Sequence, residues 1–250
     1  MGKRDSKYTD SSTLLGSNSP FAYKEAFKSL RTNLSFASIN KQCKTIIVTS
    51  SIPNEGKSTI AANLAITLAE SDAKVLLIDC DLRQSTLRRL LRIRSEYQAG
   101  LTSLLTSNAS LEECIFRHPK MNCDILLAGT IPPNPAELLS SPQMAALLQK
   151  LSERYSYIIC DTPPVSVVTD AAALSRYCDG VILVVRQKFS TRQQVLTAKR
   201  NLDAVQANII GTILSCYDMS FDAQGSGTYY KSYYRYGQSS GKKKKLQNHG

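Results

Sequence analysis

Residues 45–59 decide the fold, and they read TIIVTSSIPNEGKST. Residues 45–49 are apolar or β-branched, which is typical of a buried strand. Pro53 and Gly56 then favour a turn, and Lys57 opens a stretch rich in small apolar residues at helical spacing. A strand, a turn ending in Gly-Lys-Ser and a helix together form a phosphate-binding loop, in which backbone N–H groups and the helix dipole hold phosphate oxygens.

The Gly-Lys-Ser signal is weak on its own. The strict pattern G-x-x-x-x-G-K-[ST] is not met, because Ser51 stands where the first Gly belongs. An ordinary turn with a solvated Lys57 is the alternative. The flanking strand and helix favour the phosphate site, with Lys57 on the β- and γ-phosphates and Ser58 on Mg²⁺. The predicted ATP-binding residues are Asn54, Glu55, Gly56, Lys57, Ser58 and Thr59.

Strand-like and helical patterns alternate along the rest of the chain. Apolar runs predict strands at 75–78, 123–127, 157–160, 180–185 and 209–214, and helical patterns cover 21–37, 141–154 and 191–205. Apolar strands separated by helices predict an α/β fold with a mostly parallel sheet covered by helices on both faces. Ligands of such sheets lie beyond the carboxyl ends of the strands.

Three aspartates follow predicted strands at that edge. Asp79 and Asp81 come directly after one strand, and Asp161 comes directly after another. We expect the three carboxylates to converge on the nucleotide phosphates and to form a Mg²⁺ site with Ser58. Two close carboxylates can also hold one pKa up, which leaves a proton acceptor for a substrate hydroxyl. Strand-end caps are the alternative, and Arg83 is expected either to contact phosphate or to pair with a carboxylate.

Length and composition limit the class of protein. The 250 residues suit one α/β domain with some irregular chain, and a hydrophobic fraction of 42% is enough for a core. Against 20 Asp+Glu, 31 Lys+Arg give a formal charge of +11, which favours an anionic partner. No apolar run approaches the ~18–20 residues of a membrane span. Without a visible secretory signal or a C-x-x-C pair, a cytoplasmic protein with reduced thiols is expected.

The chain is predicted to have three parts: a flexible segment 1–20, a domain 21–216 and a disordered tail 217–250. The tail has almost no aliphatic side chains and cannot bury a core. Six Lys/Arg against two Asp give it a local charge of +4. The lysine run 242–245 either attracts anionic lipid or keeps the tail soluble. The tail also holds a cluster of five tyrosines: Tyr229, Tyr230, Tyr233, Tyr234 and Tyr236.

In combination these motifs resemble the bacterial tyrosine kinases of the CpsD/CapB type. The resemblance covers roughly residues 20–236. It rests on S-x-x-P-x-E-G-K-S-T at 50–59, L-L-I-D-x-D-L-R at 76–83, I-I-x-D-T-P-P at 158–164 and the inter-strand run at 127–139. The terminal tyrosine cluster is similar to the autophosphorylation site of that family.

The resemblance implies a P-loop NTPase-like fold and an enzyme that uses Mg-ATP to phosphorylate tyrosine, including its own tail tyrosines in trans. Lys57 and Ser58 would bind phosphate and Mg²⁺. Asp79, Asp81 and Asp161 would hold the metal and activate the tyrosine hydroxyl, with Asp79 preferred as the base.

The resemblance also implies partners. Glu25, Lys28 and Arg31 are similar to a helical oligomerisation motif, with Lys28 where Arg is usual, so a ring of subunits is expected. A lysine cannot reproduce the bidentate fork of an arginine, which would weaken the ring. The other expected partners are an activating, membrane-embedded adaptor of the polysaccharide co-polymerase type and a phosphotyrosine phosphatase. The chain would then lie at the inner face of the membrane and regulate capsule or exopolysaccharide export.

Two other functions remain open at this point. A MinD/ParA-like ATPase switch would use ATP to control association without phosphorylating protein. Such ATPases carry an extra lysine five residues before the P-loop lysine, where this chain has Ile52. A nucleic-acid-binding module is suggested only by the positive charge. Because the basic residues are spread along the chain and are not interleaved with aromatic residues outside the tail, no nucleic-acid partner is expected.

Overall fold

The computed structural model describes residues 14–37, 43–93 and 99–218. The strands are β1 Thr45–Ser50, β2 Val75–Asp79, β3 Ile115–His118, β4 Cys123–Leu126, β5 Tyr157–Asp161, β6 Gly180–Arg186 and β7 Ile209–Ser215. The helices are α1 Phe21–Ala37, α2 Lys57–Ala69, α3 Leu87–Leu90, α4 Leu101–Leu105, α5 Leu111–Cys114, α6 Pro135–Leu139, α7 Pro142–Ser152, α8 Asp170–Ser175 and α9 Arg192–Ala204.

The strands form one seven-stranded sheet in the order β3-β4-β2-β5-β1-β6-β7. Every neighbouring pair is parallel except β3 and β4, so the predicted mostly parallel sheet is confirmed. Because alternate residues of a strand face opposite sides, the sheet builds two cores. Ile47 contributes to the core that includes residues of α7, α8 and α9, while Ile46 and Val48 contribute to the core that includes residues of α1 and α2.

The six strands expected from apolar runs are all present. The helix expected after Ser141 is present as well, and the Ser141 hydroxyl caps it by accepting a hydrogen bond from the Met144 N–H. Strand β3 was not expected, because it is a short edge strand, IFRH, with no fully buried residue and no clear alternation. The short helices α3, α4, α5, α6 and α8 were not expected either, since a single helical turn leaves no periodicity to detect.

Part of the segment expected to be flexible contacts the domain. Leu14 and Leu15 pack against the α1–α2 core, and the Leu15 N–H donates to Asn63 Oδ1 on α2 over 2.7 Å. Residues 1–13 and 219–250 lie outside the described residues, and so do the five predicted tyrosine sites and the lysine run. All seven cysteines are free thiols. Within the described ranges, no helix combines the length and the apolarity needed to cross a membrane.

Gly100 offers a test of the packing around β4. A Cβ at Gly100 would lie 2.4 Å from the Leu127 carbonyl oxygen and 2.5 Å from the Gly129 nitrogen. Both atoms are backbone and cannot rotate away, so Gly100→Ala should destabilise the fold by about 2 kcal/mol or more in urea unfolding. Gly211→Ala on edge strand β7 is the control, because none of the described residues lies within 4 Å of its added Cβ. Equal stability of the two variants would contradict the packing described here.

Candidate active site

The loop between β1 and α2 has the backbone shape of an anion site. Asn54 and Gly56 adopt left-handed conformations, with φ of 66° and 89°. Gly56 precedes Lys57, the first residue of α2, and within the part of the chain that the structure describes no side chain caps the start of this 13-residue helix. Its first N–H groups are therefore available to phosphate oxygens, and the helix dipole favours negative charge there.

A buried glutamate holds this loop in place. Glu55 is 0% exposed, and its Oε2 accepts hydrogen bonds from Ser51 Oγ at 2.6 Å and the Ile52 N–H at 2.8 Å. Its Oε1 accepts from the Arg186 N–H at 3.0 Å and Ser190 Oγ at 2.5 Å. The Glu55 side chain therefore faces the protein interior, and only its backbone could contact a nucleotide. The serine that replaces the first glycine of the strict motif is one of the donors to this carboxylate.

The other predicted ATP-binding residues lie at the tip of the loop and in the first turn of α2. Asn54 is exposed at the tip of the loop, where its carbonyl oxygen accepts from the Arg186 guanidinium at 3.2 Å. Ser58 is buried, and its hydroxyl lies 2.8 Å from Thr86 Oγ1. Thr59 is half-buried in the first turn of α2.

Lys57 lies among the three strand-end aspartates. Its Nζ is 3.0 Å from Asp81 Oδ2 and 3.7 Å from Asp161 Oδ1. Asp79 and Asp161 are register partners at the carboxyl ends of β2 and β5, and both are 0% exposed. The parallel sheet therefore brings the loop lysine and the three carboxylates to one edge, as the sequence predicted.

This concentration of charge shifts the proton affinities of the site. Burial, together with the charge of Asp161, raises the pKa of Asp79 from 3.8 to about 7. Burial also raises the pKa of Asp161, although the Lys57 ammonium works in the opposite direction. For Lys57 itself, burial lowers the pKa, but the carboxylates of Asp161 and Asp81 outweigh burial and raise it above its usual value.

The net charge of the site favours a bound cation. Within the described residues, the buried Asp161 carboxylate lies beside the Lys57 ammonium and the Ser58 hydroxyl, yet neither of its oxygens is in a well-formed hydrogen bond. One ammonium against three carboxylates leaves an excess of negative charge, which a divalent cation would offset. Among the described residues, no group of three or more His, Cys, Asp and Glu side chains is arranged so that it could hold a metal ion. Mg²⁺ usually takes only one or two carboxylates and fills its shell with waters and phosphate oxygens.

Several neighbours of the carboxylates were not found from the sequence. The Ser85 hydroxyl donates to Asp79 Oδ2, and the Gln84 N–H donates to Asp81 Oδ1 at 3.0 Å. Arg83, which was expected either on phosphate or on a carboxylate, makes a bidentate pair with Asp170 at 2.9 Å for both hydrogen bonds. For Ser85 and Thr86, the one available sequence signal is their position directly after the Asp-x-Asp-Leu-Arg run.

Comparison with known proteins now gives the family. A family model described as an AAA domain matches residues 43–213. The tyrosine-protein kinase YwqD of Bacillus subtilis is 40% identical over 191 residues, which cover 76% of this chain and 80% of YwqD. The chain belongs to the bacterial tyrosine-protein kinases of the CapB/YwqD/Wzc family.

Solved structures of this family have the same fold. The kinase domain of the Escherichia coli tyrosine kinase ETK matches with a TM-score of 0.74 and 33% identity, covering 80% of this chain and 81% of that domain. The chimerical protein CapA2B2 matches with a TM-score of 0.73 and 36% identity, covering 79% of this chain and 85% of the other. MinD of Pyrococcus horikoshii, solved with Mg-ADP, is a more distant neighbour at 25% identity and a TM-score of 0.58, covering 68% of this chain and 69% of MinD. The predicted P-loop NTPase-like fold is confirmed.

The raised pKa of Asp79 makes stability depend on pH. The folded protein binds the Asp79 proton up to about pH 7, while the unfolded chain releases it near 3.8, so folding loses stability as pH rises between these values. Asp79→Asn removes this penalty. In urea unfolding without nucleotide or Mg²⁺, its stability advantage over the unsubstituted protein should grow by about 2 kcal/mol between pH 5 and pH 8.

The exposed Asp203 on α9 supplies the control. Its side chain is 48% exposed and pairs with Lys199, so Asp203→Asn removes a carboxylate without touching the buried cluster. The stability difference for this variant should stay nearly constant over the same pH range. Parallel pH curves for Asp79→Asn and the unsubstituted protein would show that the Asp79 pKa is not raised.

Proposed function

We propose that this chain is an ATP-dependent protein-tyrosine kinase that autophosphorylates its C-terminal tyrosines in trans and so regulates capsule or exopolysaccharide synthesis and export. The observation that carries the proposal is the buried cluster of Lys57 with Asp79, Asp81 and Asp161 beside an uncapped helix N-terminus. Membership of the tyrosine-kinase family supports it. Phosphoryl transfer depends mostly on positioning and on offsetting charge, which is what this cluster can supply.

The phosphate loop would bind ATP through backbone and side-chain groups. N–H groups at the start of α2 would hold the phosphate oxygens, and the Lys57 ammonium would offset charge on the β- and γ-phosphates. Glu55 would keep the loop in shape from behind, through its hydrogen bonds to Ser51 and Ile52.

The three aspartates would have two roles, which are to hold Mg²⁺ and to accept a proton. Asp81, Asp161 and the Ser58 hydroxyl would hold Mg²⁺ with phosphate oxygens, and the Asp79 carboxylate is a further ligand candidate. Bound Mg²⁺ would neutralise charge that develops on the phosphates.

Asp79 is the preferred proton acceptor, because a pKa of about 7 suits a general base at neutral pH. The tyrosine oxygen would form a bond to the γ-phosphorus as the bond to the bridging oxygen breaks. ADP would leave, and the tyrosine proton would pass to the Asp79 carboxylate.

The topology supports the tail tyrosines as acceptors. β7 is parallel to its neighbour, so the chain leaves it at the catalytic edge, where Ser215 Oγ donates to the Glu55 carbonyl oxygen at 2.6 Å. Ten residues lie between Asp218 and Tyr229, the first tyrosine of the cluster. Extended chain of that length reaches about 35 Å, far enough for an active site on the same or a neighbouring subunit.

Replacing the loop lysine tests the activity. After incubation with Mg-ATP, with and without the cytoplasmic segment of an adaptor, mass spectrometry should find phosphotyrosine within Tyr229–Tyr236. Lys57→Met should lower the rate at least about 100-fold, because the phosphates lose their positive partner. Lys150→Met, an exposed lysine on α7, should keep full activity.

Asp79→Asn provides a second inactive variant whose folding is checked by the unfolding experiment above. A protein that forms no phosphotyrosine with the adaptor segment present would exclude the kinase proposal.

An ATPase switch is the second candidate, favoured by the structural likeness to MinD. It predicts ATP hydrolysis without phosphotyrosine, and hydrolysis that is unaffected by removing residues 217–250. The kinase proposal instead predicts that this deletion removes the acceptor and leaves phosphotransfer to added tyrosine peptides.

Self-association and an adaptor belong to the same proposal. Glu25 and Lys28 form an exposed pair at 2.7 Å on α1, whereas Arg31 donates to the Thr67 carbonyl oxygen of its own α2. We infer a homo-oligomeric ring that uses the exposed pair and is held at the inner face of the membrane by a polysaccharide co-polymerase-type adaptor. The kinship with CapA2B2 supports the adaptor. The phosphatase partner remains an expectation from the family resemblance.

The exposed pair on α1 gives a direct test of the ring. Lys28→Ala together with Glu25→Ala should shift the mass measured by light scattering towards the monomer and slow autophosphorylation in trans. Lys199→Ala breaks a comparably exposed pair with Asp203 on α9 and should change neither. If the variant that carries both Lys28→Ala and Glu25→Ala keeps the mass of the unsubstituted protein, this pair on α1 does not form the contact between subunits.

A further inference from the structure

An ion pair between an exposed arginine and a buried aspartate connects the two loops that follow β2 and β5. Asp170, the first residue of α8, is fully buried, and the Arg83 side chain is 41% exposed. Arg83 Nε donates to Asp170 Oδ2 and Arg83 Nη2 donates to Asp170 Oδ1, each at 2.9 Å. Planar, bidentate geometry of this kind fixes both distance and orientation.

The pair holds the middle of the turn that orients Asp79 and Asp81. Within this turn, the Asp81 N–H donates to Asp79 Oδ1 at 3.2 Å, and the Gln84 N–H donates to Asp81 Oδ1 at 3.0 Å. The Ser85 hydroxyl donates to the second oxygen of Asp79. Each of these donors lies within two residues of Arg83, so a shift of Arg83 would move the groups that aim both carboxylates.

The other end of the pair follows Asp161 along the chain. β2 and β5 are neighbours with Asp79 opposite Asp161, and Asp170 opens the helix that follows the loop after β5. The Arg83–Asp170 pair therefore closes a bridge between the loop after β2 and the loop after β5, outside the ends of the strands.

We propose that Arg83 and Asp170 are positioning residues, which set the geometry of Asp79 and Asp81 for phosphoryl transfer without contacting ATP themselves. This inference rests on the proposed kinase function. It assigns to Arg83 a role through the carboxylates and excludes a phosphate contact. Lysine cannot replace the fork, because a single ammonium does not fix the orientation of a carboxylate.

Steady-state kinetics on the full chain test the pair. Arg83→Lys should lower kcat for tyrosine phosphorylation about 10-fold while the KM for ATP stays within about 2-fold, since binding groups on the phosphate loop are untouched. Asp170→Asn should have the same effect, and the double variant should lose no more than either single variant, because one interaction is removed in all three. Arg83→Lys alone decides the test if Asp170→Asn fails to fold.

Arg117→Lys is the matched control. Arg117 in β3 pairs with Asp124 in β4 over 3.3 Å, and Asp124 lies beside the amino-terminal end of β2, away from the carboxyl end that bears Asp79. Replacing Arg117 should therefore leave kcat unchanged. The proposal is overturned by a full kcat in folded Arg83→Lys or by an equal loss in Arg117→Lys. It is also overturned if the losses of kcat in the two single variants multiply in the double variant. A 10-fold higher KM for ATP at unchanged kcat would overturn it as well, because that result would place Arg83 in contact with phosphate.

The two proposals can fail separately. If the unsubstituted protein hydrolyses ATP but forms no phosphotyrosine with the adaptor segment present, the kinase proposal fails. The same variants, measured by ATP hydrolysis, then still decide whether the Arg83–Asp170 pair positions the carboxylates.

Discussion

The active site depends on one ammonium group among buried carboxylates. Without Lys57, three aspartates at the ends of β2 and β5 would repel one another in a region with little water, and the site would have to take up protons or open. With Lys57 present, the net charge of the cluster is still negative. The raised pKa values of Asp79 and Asp161 offset part of this charge, because the two carboxylates bind protons more readily. The same excess of negative charge would let the site bind a cation and accept a proton in the proposed reaction.

Another buried carboxylate, that of Glu55, holds the phosphate loop in place. The four hydrogen bonds of its carboxylate go to Ser51 and Ile52 in the phosphate loop, to Arg186 at the end of β6 and to Ser190 after that strand, so they join the loop to β6 and not to the aspartates. A serine at the position of the first motif glycine is compatible with the loop because its hydroxyl becomes one of these donors. The shape of the loop is thus fixed by side-chain hydrogen bonds to a carboxylate, with glycine needed only at the left-handed Gly56.

Sequence patterns predicted the parts of the molecule that depend on local periodicity and on strand direction. Apolar runs gave six of the strands, and parallel pairing then required Asp79, Asp81 and Asp161 to meet Lys57. The inward orientation of Glu55 was missed, because its partners at Arg186 and Ser190 lie 131 and 135 residues away. The choice between the two roles of Arg83 was also beyond the sequence, since Asp170 lies 87 residues further along. Edge strand β3 was missed because its half-exposed residues carry no core pattern.

Parallel topology also explains why the start of the tail and the proposed catalytic groups share one edge. A parallel strand must deliver its carboxyl end to the same side as its neighbours, and β7 delivers Ser215 to the Glu55 carbonyl. The neighbouring β6 delivers Arg186, whose backbone binds the Glu55 carboxylate. Had the last strand run antiparallel, as β3 does against β4, the chain would leave the domain at the opposite edge. A tyrosine-bearing segment would then have to cross the whole length of the sheet before it reached any phosphate. The direction of the final strand is therefore a requirement of the proposed chemistry as much as a feature of the fold.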